Sequence, residues 1–315
     1  MKKLSKNKIF IIIGALILLV ASYIVVSLLK NETNHNGEVT ITHELGTTEV
    51  NKNPEKIVVF DFGILEILDK LEIDVVGLPK DSLPEHLKKY NNSNVTNVGT
   101  LFEPNFEVIF NLKPDLIIIS GRQSDLYTEL SELAPTIYLP INNLEFFKRF
   151  KNNLNTLSKI FPDDSSFDTY IDEIETDIDH LYNIAKASEL KALILMVNSS
   201  SISALGVGSR FDVVHSTFGV KPADTNITIS THGQNVNFEY ILEVNPDIIF
   251  VVDRGIVTEG EGTAKVLLNN ALVNQTKAAI NEKIIYLSVE KWYISTGGID
   301  SFKTMIEEVL AAFTD

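Results

Sequence analysis

The sequence predicts an α/β protein of two similar lobes, each built on a mostly parallel sheet, joined by one long helix and preceded by an N-terminal membrane segment. Three observations carry this. One pattern occurs twice: Asn105 to Arg122 reads NFEVIFNLKPDLIIISGR and Asn237 to Arg254 reads NFEYILEVNPDIIFVVDR, with Asn, Phe, Glu, Ile, Pro, Asp, Ile and Arg in register. Each copy holds a short helical phase, a Pro-Asp turn and an apolar run too short for a buried helix, which reads as helix, turn and buried parallel strand. Strands alternate with helices on both sides of the chain's middle, as in a sheet covered on both faces. The middle itself has helical periodicity and no linker composition.

Residues 1–30 are the expected membrane segment. Ile9 to Leu29 carries no charge, and at ~1.5 Å per residue it crosses a bilayer core of ~30 Å. Lys2, Lys3, Lys6 and Lys8 precede it, which keeps that end in the cytoplasm and exports the rest. It is either an uncleaved anchor or a signal cut near Val20-Ala21-Ser22, although secretory apolar regions run only about 7–15 residues. Both versions put the functional part on the outer face of the cytoplasmic membrane, or secreted. Residues 31–37 are a polar tether.

Residues 38–161 form the expected N-terminal lobe. Glu38 to Val50 alternates apolar and polar around Leu45-Gly46, a hairpin pattern. Strand Ile57 to Phe60, helix Gly63 to Leu71 and strand Val75 to Leu78 lead into the first copy of the repeat, and helix Leu126 to Leu133 and strand Thr136 to Leu139 follow it. Leu144, Phe147, Phe150, Leu154, Leu157 and Phe161 then recur at helical spacing until Pro162 stops the run. Residues 162–189 are the expected connecting helix, capped at Ser165-Ser166, with Phe167, Tyr170, Ile171, Ile174, Ile178, Leu181 and Ala185 on one stripe and acids opposite. Some twenty residues span roughly 30 Å, so it is a rigid strut.

Residues 190–315 are the expected C-terminal lobe. Strands Ala192 to Val197 and Ile202 to Leu205 precede Gly206-Val207-Gly208-Ser209-Arg210, which enters a short helix. The second copy, helical stretches near Ala264 to Leu268 and Asn274 to Ala279, strand Lys283 to Leu287, a loop from Ser288 to Gly298 and a last helix from Ser301 to Phe313 complete the chain.

Lys and Arg number 27 against 42 Asp and Glu, a net charge of −15, and five of the basic residues lie in the first thirty positions. So acidic a domain is not a nucleic-acid binder. The absence of cysteine excludes disulfides, thiolate metal sites, cysteine nucleophiles and a lipid-modified cysteine. Gly206-Val207-Gly208 is half of a dinucleotide fingerprint, and there is no phosphate-binding loop, Gly-x-Ser-x-Gly elbow or His-Glu-x-x-His. Nothing argues for catalysis, and the expectation is a binding protein rather than an enzyme.

Only four of the basic residues are arginines, and Arg122, Arg210 and Arg254 each follow a predicted strand, while Arg149 falls on a helix. A guanidinium is a fixed, permanently charged fork suited to planar oxygen donors. Open α/β sheets place ligands beyond the C-terminal edge of their strands. The three arginines therefore converge on an anionic ligand, or each caps a helix or pairs with a surface acid. His232 and Tyr293 lie in polar loops of the second lobe. Imidazole and phenolate suit a hard metal such as iron(III); the alternative is a solvated histidine and a tyrosine packed beside Trp292, the sole tryptophan. Glu107 and Glu239 occupy matching positions on the first turn of each repeat helix. They favour the helix dipole, or form a docking pair for a two-fold symmetric partner.

Thr47-Thr48-Glu49-Val50 with Asn53-Pro54, the repeated NFExI and Pro-Asp, Gly208-Ser209-Arg210-Phe211, Thr231-His232-Gly233, Val251-Val252-Asp253-Arg254 and Trp292-Tyr293 are individually modest. In this order and spacing, from about Val39 onward, the chain resembles the iron-siderophore substrate-binding proteins of bacterial ABC importers, in particular the catecholate branch of the enterobactin and petrobactin type. The resemblance implies a class III periplasmic-binding-protein fold with little hinge motion, acting as a monomer and without an intrinsic cofactor. It implies that Arg122, Arg210 and Arg254, with Trp292 beside them, bind a ferric catecholate. It also implies that His232 and Tyr293 ligate iron(III) when the siderophore supplies only four oxygens, and that Glu107 and Glu239 dock on an ABC permease dimer. Members in single-membrane bacteria usually carry a lipidated cysteine, which this chain lacks. Haem, cobalamin or a hydroxamate siderophore would suit the same fold, but three arginines fit a neutral hydroxamate complex poorly. An extracytoplasmic esterase would need a nucleophile and base that do not present themselves. A ligand-free membrane-tethered module would leave the arginine placement unexplained.

Overall fold

Two sheets, one parallel and one mixed, organise the protein in the computed structural model, which describes residues 37–141, 144–230, 232–258 and 260–314. The expected membrane segment lies outside these residues, and among the described residues no helix is long and apolar enough to cross a membrane. Val39–Asp315 is one compact unit.

Strands β1 (Glu38–His43) and β2 (Gly46–Asn51) form the expected hairpin. The first sheet contains β3 (Ile57–Val59), β4 (Gly77–Leu78), β5 (Thr96–Asn97), β6 (Leu116–Ile119) and β7 (Thr136–Tyr138), ordered β5-β4-β3-β6-β7. Every pairing in it is parallel. The second contains β8 (Lys191–Asn198), β9 (Ser201–Leu205), β10 (Lys221–Pro222), β11 (Gln234–Asn235), β12 (Ile248–Asp253) and β13 (Ile284–Tyr286). Its order is β11-β9-β8-β12-β13, with β10 beside β8. Strand β12 runs parallel to β8 and β13, whereas β9 is antiparallel to β8 and to β11. Ser199, at φ 53, makes the tight turn that returns β9 along β8.

The continuous apolar strands are explained by burial on both faces. Ile57, Val59, Leu116 and Ile118 of the first sheet, and Ala192, Ile194, Phe250 and Val252 of the second, face a shared central core. Their neighbours Val58, Ile117 and Ile119 face one outer cluster, and Leu193, Leu195, Ile249 and Val251 face another. The period of two along each strand thus sorts every other side chain to the centre. Helix Phe146–Ile160, the connecting helix Ser166–Ala187 and the C-terminal helix Ile299–Leu310 fill that centre with Phe150, Leu157, Ile174, Leu181 and Phe302, so one apolar core runs through both sheets.

The two copies of the repeat fold alike, down to single hydrogen bonds. Asn105 Oδ1 accepts from Val108 N at 3.1 Å and Asn237 Oδ1 from Tyr240 N at 2.9 Å, capping helices Phe106–Leu112 and Phe238–Val244. Both helices end on a left-handed residue, Lys113 or Asn245. The aspartate of each Pro-Asp then ties down the neighbouring strand: Asp115 Oδ2 accepts from Lys56 N at 2.9 Å, and Asp247 Oδ2 from Lys191 N at 3.0 Å.

Two local expectations are corrected. The connecting helix is entered through Asp164, whose Oδ1 accepts from Ser166 N at 2.8 Å, while Ser165 makes no side-chain cap. The carboxylate reaches the first turn where the Ser165 hydroxyl does not. The stretch expected as a loop from Ser288 to Gly298 contains a π-helical turn, Glu290–Ile294. A five-residue register has no apolar signature at this length, and such turns are frequent at functional sites.

Candidate functional site

In each sheet the strand order reverses beside the strand of the repeat, at β3 and β6 in the first and at β8 and β12 in the second. Crevices open at such switch points. Beyond β6, the chain enters a 3-10 turn, Gly121–Leu126, held by a reciprocal pair of bonds between Ser120 and Gln123. That turn carries Arg122 into a cavity of about 350 Å³. The wall includes Asp61, Ser120 and Arg122 from the first lobe and Arg210, Tyr293 and Thr296 from the second.

The π-helical turn supplies the centre of the site. Tyr293 O accepts from Arg122 Nη2 at 3.2 Å and from Arg210 Nη2 at 3.4 Å, so one carbonyl gathers a guanidinium from each lobe. The Tyr293 ring lies 3.8 Å from Arg210 Cζ and 5.8 Å from Arg254 Cζ, both within cation–π range. Arg254 follows β12 directly, its N–H bonded to Val197 O at 2.8 Å, and its Nε is buried without a hydrogen-bond partner among the described residues. The structure thus brings Arg122, Arg210, Arg254 and Tyr293 together.

The charge balance here is unusual. Burial lowers the Arg210 guanidinium below its ordinary value; Tyr293 partly offsets this, and the like charges of Arg122 and Arg254 lower it further. Arg149 is the sole arginine with an ion pair among the described residues, to Glu44. Arg122, Arg210 and Arg254 make no ion pair among the described residues, although the Asp61 carboxylate acts on Arg122, and such a concentration of guanidiniums in a chain of net charge −15 attracts anions.

The periplasmic binding protein family matches residues 57–290. The chain belongs to that family. It is 42% identical over 284 residues to petrobactin-binding protein YclQ of Bacillus subtilis, covering 89% of this chain and 90% of the relative. It is 34% identical over 281 residues to ferric-anguibactin-binding protein FatB of Vibrio anguillarum, covering 87% of each. The crystal structure of YclQ superimposes with a TM-score of 0.85 over 89% of this chain and 99% of that one. The periplasmic catecholate-siderophore binding protein VctP of Vibrio cholerae gives 0.83 at 33% identity, over 87% and 100%. An α/β fold with parallel sheets, as the sequence predicts, is the fold of this family.

The remaining residues singled out in the sequence are placed differently in this periplasmic binding protein. Trp292 stands in the cavity wall but is 0% exposed, and its indole N–H donates to Glu308 Oε2 at 2.7 Å. Its ring packs edge-on against Phe211, 6.0 Å between centroids. His232 is exposed on the loop before β11 and does not border the cavity; its N–H is bonded to Ser230 Oγ at 3.2 Å. Glu107 and Glu239 are exposed on the first turns of the equivalent repeat helices.

Asp61 is the residue that sequence reasoning missed. Its carboxylate caps helix Phe62–Lys70, with Oδ1 accepting from Ile64 N at 2.9 Å, and it forms the floor of the cavity near Arg122. Burial pushes its pKa up, opposed by the Ser120 hydroxyl, the Ile64 N–H and Arg122. An aspartate directly before an apolar helix is a cap signal, but nothing in that signal says that the cap faces a ligand. Gly63 permits the site to be this tight: a Cβ there would lie 2.6 Å from Thr296 O, across the lobe boundary.

Proposed function

We propose that this protein binds a ferric catecholate siderophore outside the cytoplasmic membrane with high affinity and passes it to a dimeric ABC permease for iron uptake. The observation that carries the reading is the gathering of Arg122 and Arg210 on the Tyr293 carbonyl in one cavity, with Arg254 5.8 Å from the Tyr293 ring. A tris-catecholate iron(III) complex carries about −3, which three guanidiniums balance, each charge-assisted bond contributing roughly 1.5–3 kcal/mol. The names of YclQ, FatB and VctP, which refer to petrobactin, ferric anguibactin and catecholate siderophores, support the same ligand class.

In this reading lobes 38–161 and 190–315 hold the ligand between them, and helix 162–189 limits their hinge motion. A bis-catecholate leaves two iron positions open. The Tyr293 phenol, already in the cavity, fills one; His232 fills the other when its exposed loop folds onto the ligand. Glu107 and Glu239 meet the permease. The cargo is iron(III) in its siderophore, and the protein works as a monomer on the outer face, held by residues 1–30 or released.

Titration of the protein with ferric tris- and bis-catecholate complexes tests the proposal. Trp292, the residue before Tyr293 in the cavity wall, should be quenched at sub-micromolar ligand through energy transfer to the coloured complex, which needs no contact. Absence of quenching by both complexes at micromolar concentration, with no heat of binding, refutes it.

A further inference from the structure

The site described above depends on the position of one backbone carbonyl, that of Tyr293, and a buried carboxylate in the other lobe holds the turn that carries it. Glu66, on helix Phe62–Lys70, is 3% exposed and lies where that helix packs on the C-terminal helix. Its Oε1 accepts from Ser301 N at 2.6 Å. Its Oε2 accepts from Ser301 Oγ at 2.7 Å and Lys291 Nζ at 3.1 Å, with His86 Nε2 at 2.8 Å. Gly298 leaves room for this group, since a Cβ there would stand 2.3 Å from Glu66 Oε1.

These contacts hold the π-helical turn at several points. Lys291 lies inside the turn, two residues before Tyr293, and is only 17% exposed, so its ammonium has little water to turn to. Ser301 Oγ, which donates to Glu66, stands 2.8 Å from Ser295 Oγ, and Ser295 N closes the turn onto Glu290 O at 2.8 Å. At the start of the turn, the Glu290 carboxylate accepts from Glu85 N at 3.1 Å and stands 3.9 Å from His86 Nδ1. A buried carboxylate with every oxygen engaged fixes a single arrangement, whereas apolar packing alone tolerates sliding.

We propose that Glu66 is a positioning residue for the ligand site: through Lys291, Ser301 and His86 it sets the π-helical turn against the first lobe, so that Tyr293 O receives Arg122 and Arg210. Glu66 itself touches no ligand. The inference rests on the arginine cavity being the binding site.

The test uses the full chain with Glu66→Gln, Lys291→Met, the double variant, and Arg210→Ala as reference. Affinity for an iron(III) bis-catecholate is read by quenching of Trp292, the turn's own conformation by the emission maximum of Trp292 without ligand, and stability by thermal melting. Glu66→Gln and Lys291→Met should each weaken binding about 10–100-fold, the range seen when outer partners of a metal site are removed, and should red-shift the emission of the free protein. The double variant should bind no more weakly than the worse single one, because Lys291 acts through its bond to Glu66. Lower melting points with parental affinity and emission, or single effects that multiply in the double variant, would overturn the proposal. Should Glu66→Gln not fold, Lys291→Met alone decides, since it leaves Glu66 its other donors. Loss of binding in Arg210→Ala with none in Lys291→Met overturns the positioning role alone. Full binding by Arg210→Ala overturns the site reading instead, and the emission shift then still decides whether Glu66 holds the turn.

Discussion

The segments Asn105 to Arg122 and Asn237 to Arg254 share a sequence pattern, a cap, a left-handed helix end and an aspartate tie, yet they serve the site differently. In the first, Arg122 leaves the strand on a 3-10 turn and reaches across to the other lobe's carbonyl. In the second, Arg254 stays at the strand end, bonded to β8, with its Nε unpaired and Tyr293 at 5.8 Å. The second lobe then adds Arg210 and the π-helical turn, which have no counterparts in the first. The repeated pattern builds matching strand ends, and the unrepeated segments add the groups gathered around Tyr293.

If that division holds, the largest loss should follow from a residue outside the repeat. Arg210→Ala should weaken ferric catecholate binding by about 2–3 kcal/mol, 30-fold or more, in a fluorescence titration. Arg210→Lys should restore little of it, because an ammonium cannot reproduce the fork that spans Tyr293. Between the copies, Arg122→Ala should cost more than Arg254→Ala, by roughly fivefold, since Arg122 also ties the lobes through Tyr293 O. Equal losses would mean that the repeats contribute symmetrically.

Tyr293→Phe keeps the carbonyl that gathers the arginines and removes only the phenol. It should weaken a bis-catecholate about tenfold, one charge-assisted interaction, and leave a hexadentate tris-catecholate nearly unchanged. His232→Ala should show the same contrast in calorimetric titration; equal effects on both complexes would remove either residue from iron coordination.

The carboxylate at Glu66 gives a pH-dependent comparison. Burial pushes its pKa up, but His86, Lys291 and Ser301 outweigh burial and hold it below the ordinary value. A depressed folded pKa contributes stability that is complete above the unfolded carboxylate value of about 4.3 and is lost as pH falls through the lower folded value. The stability difference between parent and Glu66→Gln, from urea unfolding, should therefore be constant near neutrality and shrink only below about pH 4. The smallest effect belongs to the repeat helices: Glu107→Ala and Glu239→Ala should change stability and ligand affinity by no more than about 0.5 kcal/mol, as for other exposed positions. Their loss should appear only in iron uptake by cells carrying the permease.

Much of the fold was legible because its signals are local. Runs such as Leu116 to Ile119 and Ile248 to Val252 are apolar at every position, which is the mark of strands covered on both faces. The stripe from Phe167 to Ala185 is buried except at Tyr170, which is partly buried. The arginines were visible through their scarcity and their place after strands. Asp61 and Glu66 were not: one looks like an ordinary helix cap, and the other is a lone acid on an apolar helix whose partners are supplied by residues 86, 291 and 301.

By itself, then, the sequence determined which segments are strands and helices, that one helix–turn–strand pattern occurs twice, and which cations stand at strand ends. These follow from periodicity and composition, which act over a few residues. Only the tertiary structure decided that Tyr293 offers its carbonyl to two arginines, that Trp292 turns inward to Glu308, and that His232 stays outside the cavity. Those outcomes depend on how a π-helical turn sits against a helix more than two hundred residues away in the chain, and such contacts are fixed by packing and buried charge, which leave no pattern in local sequence.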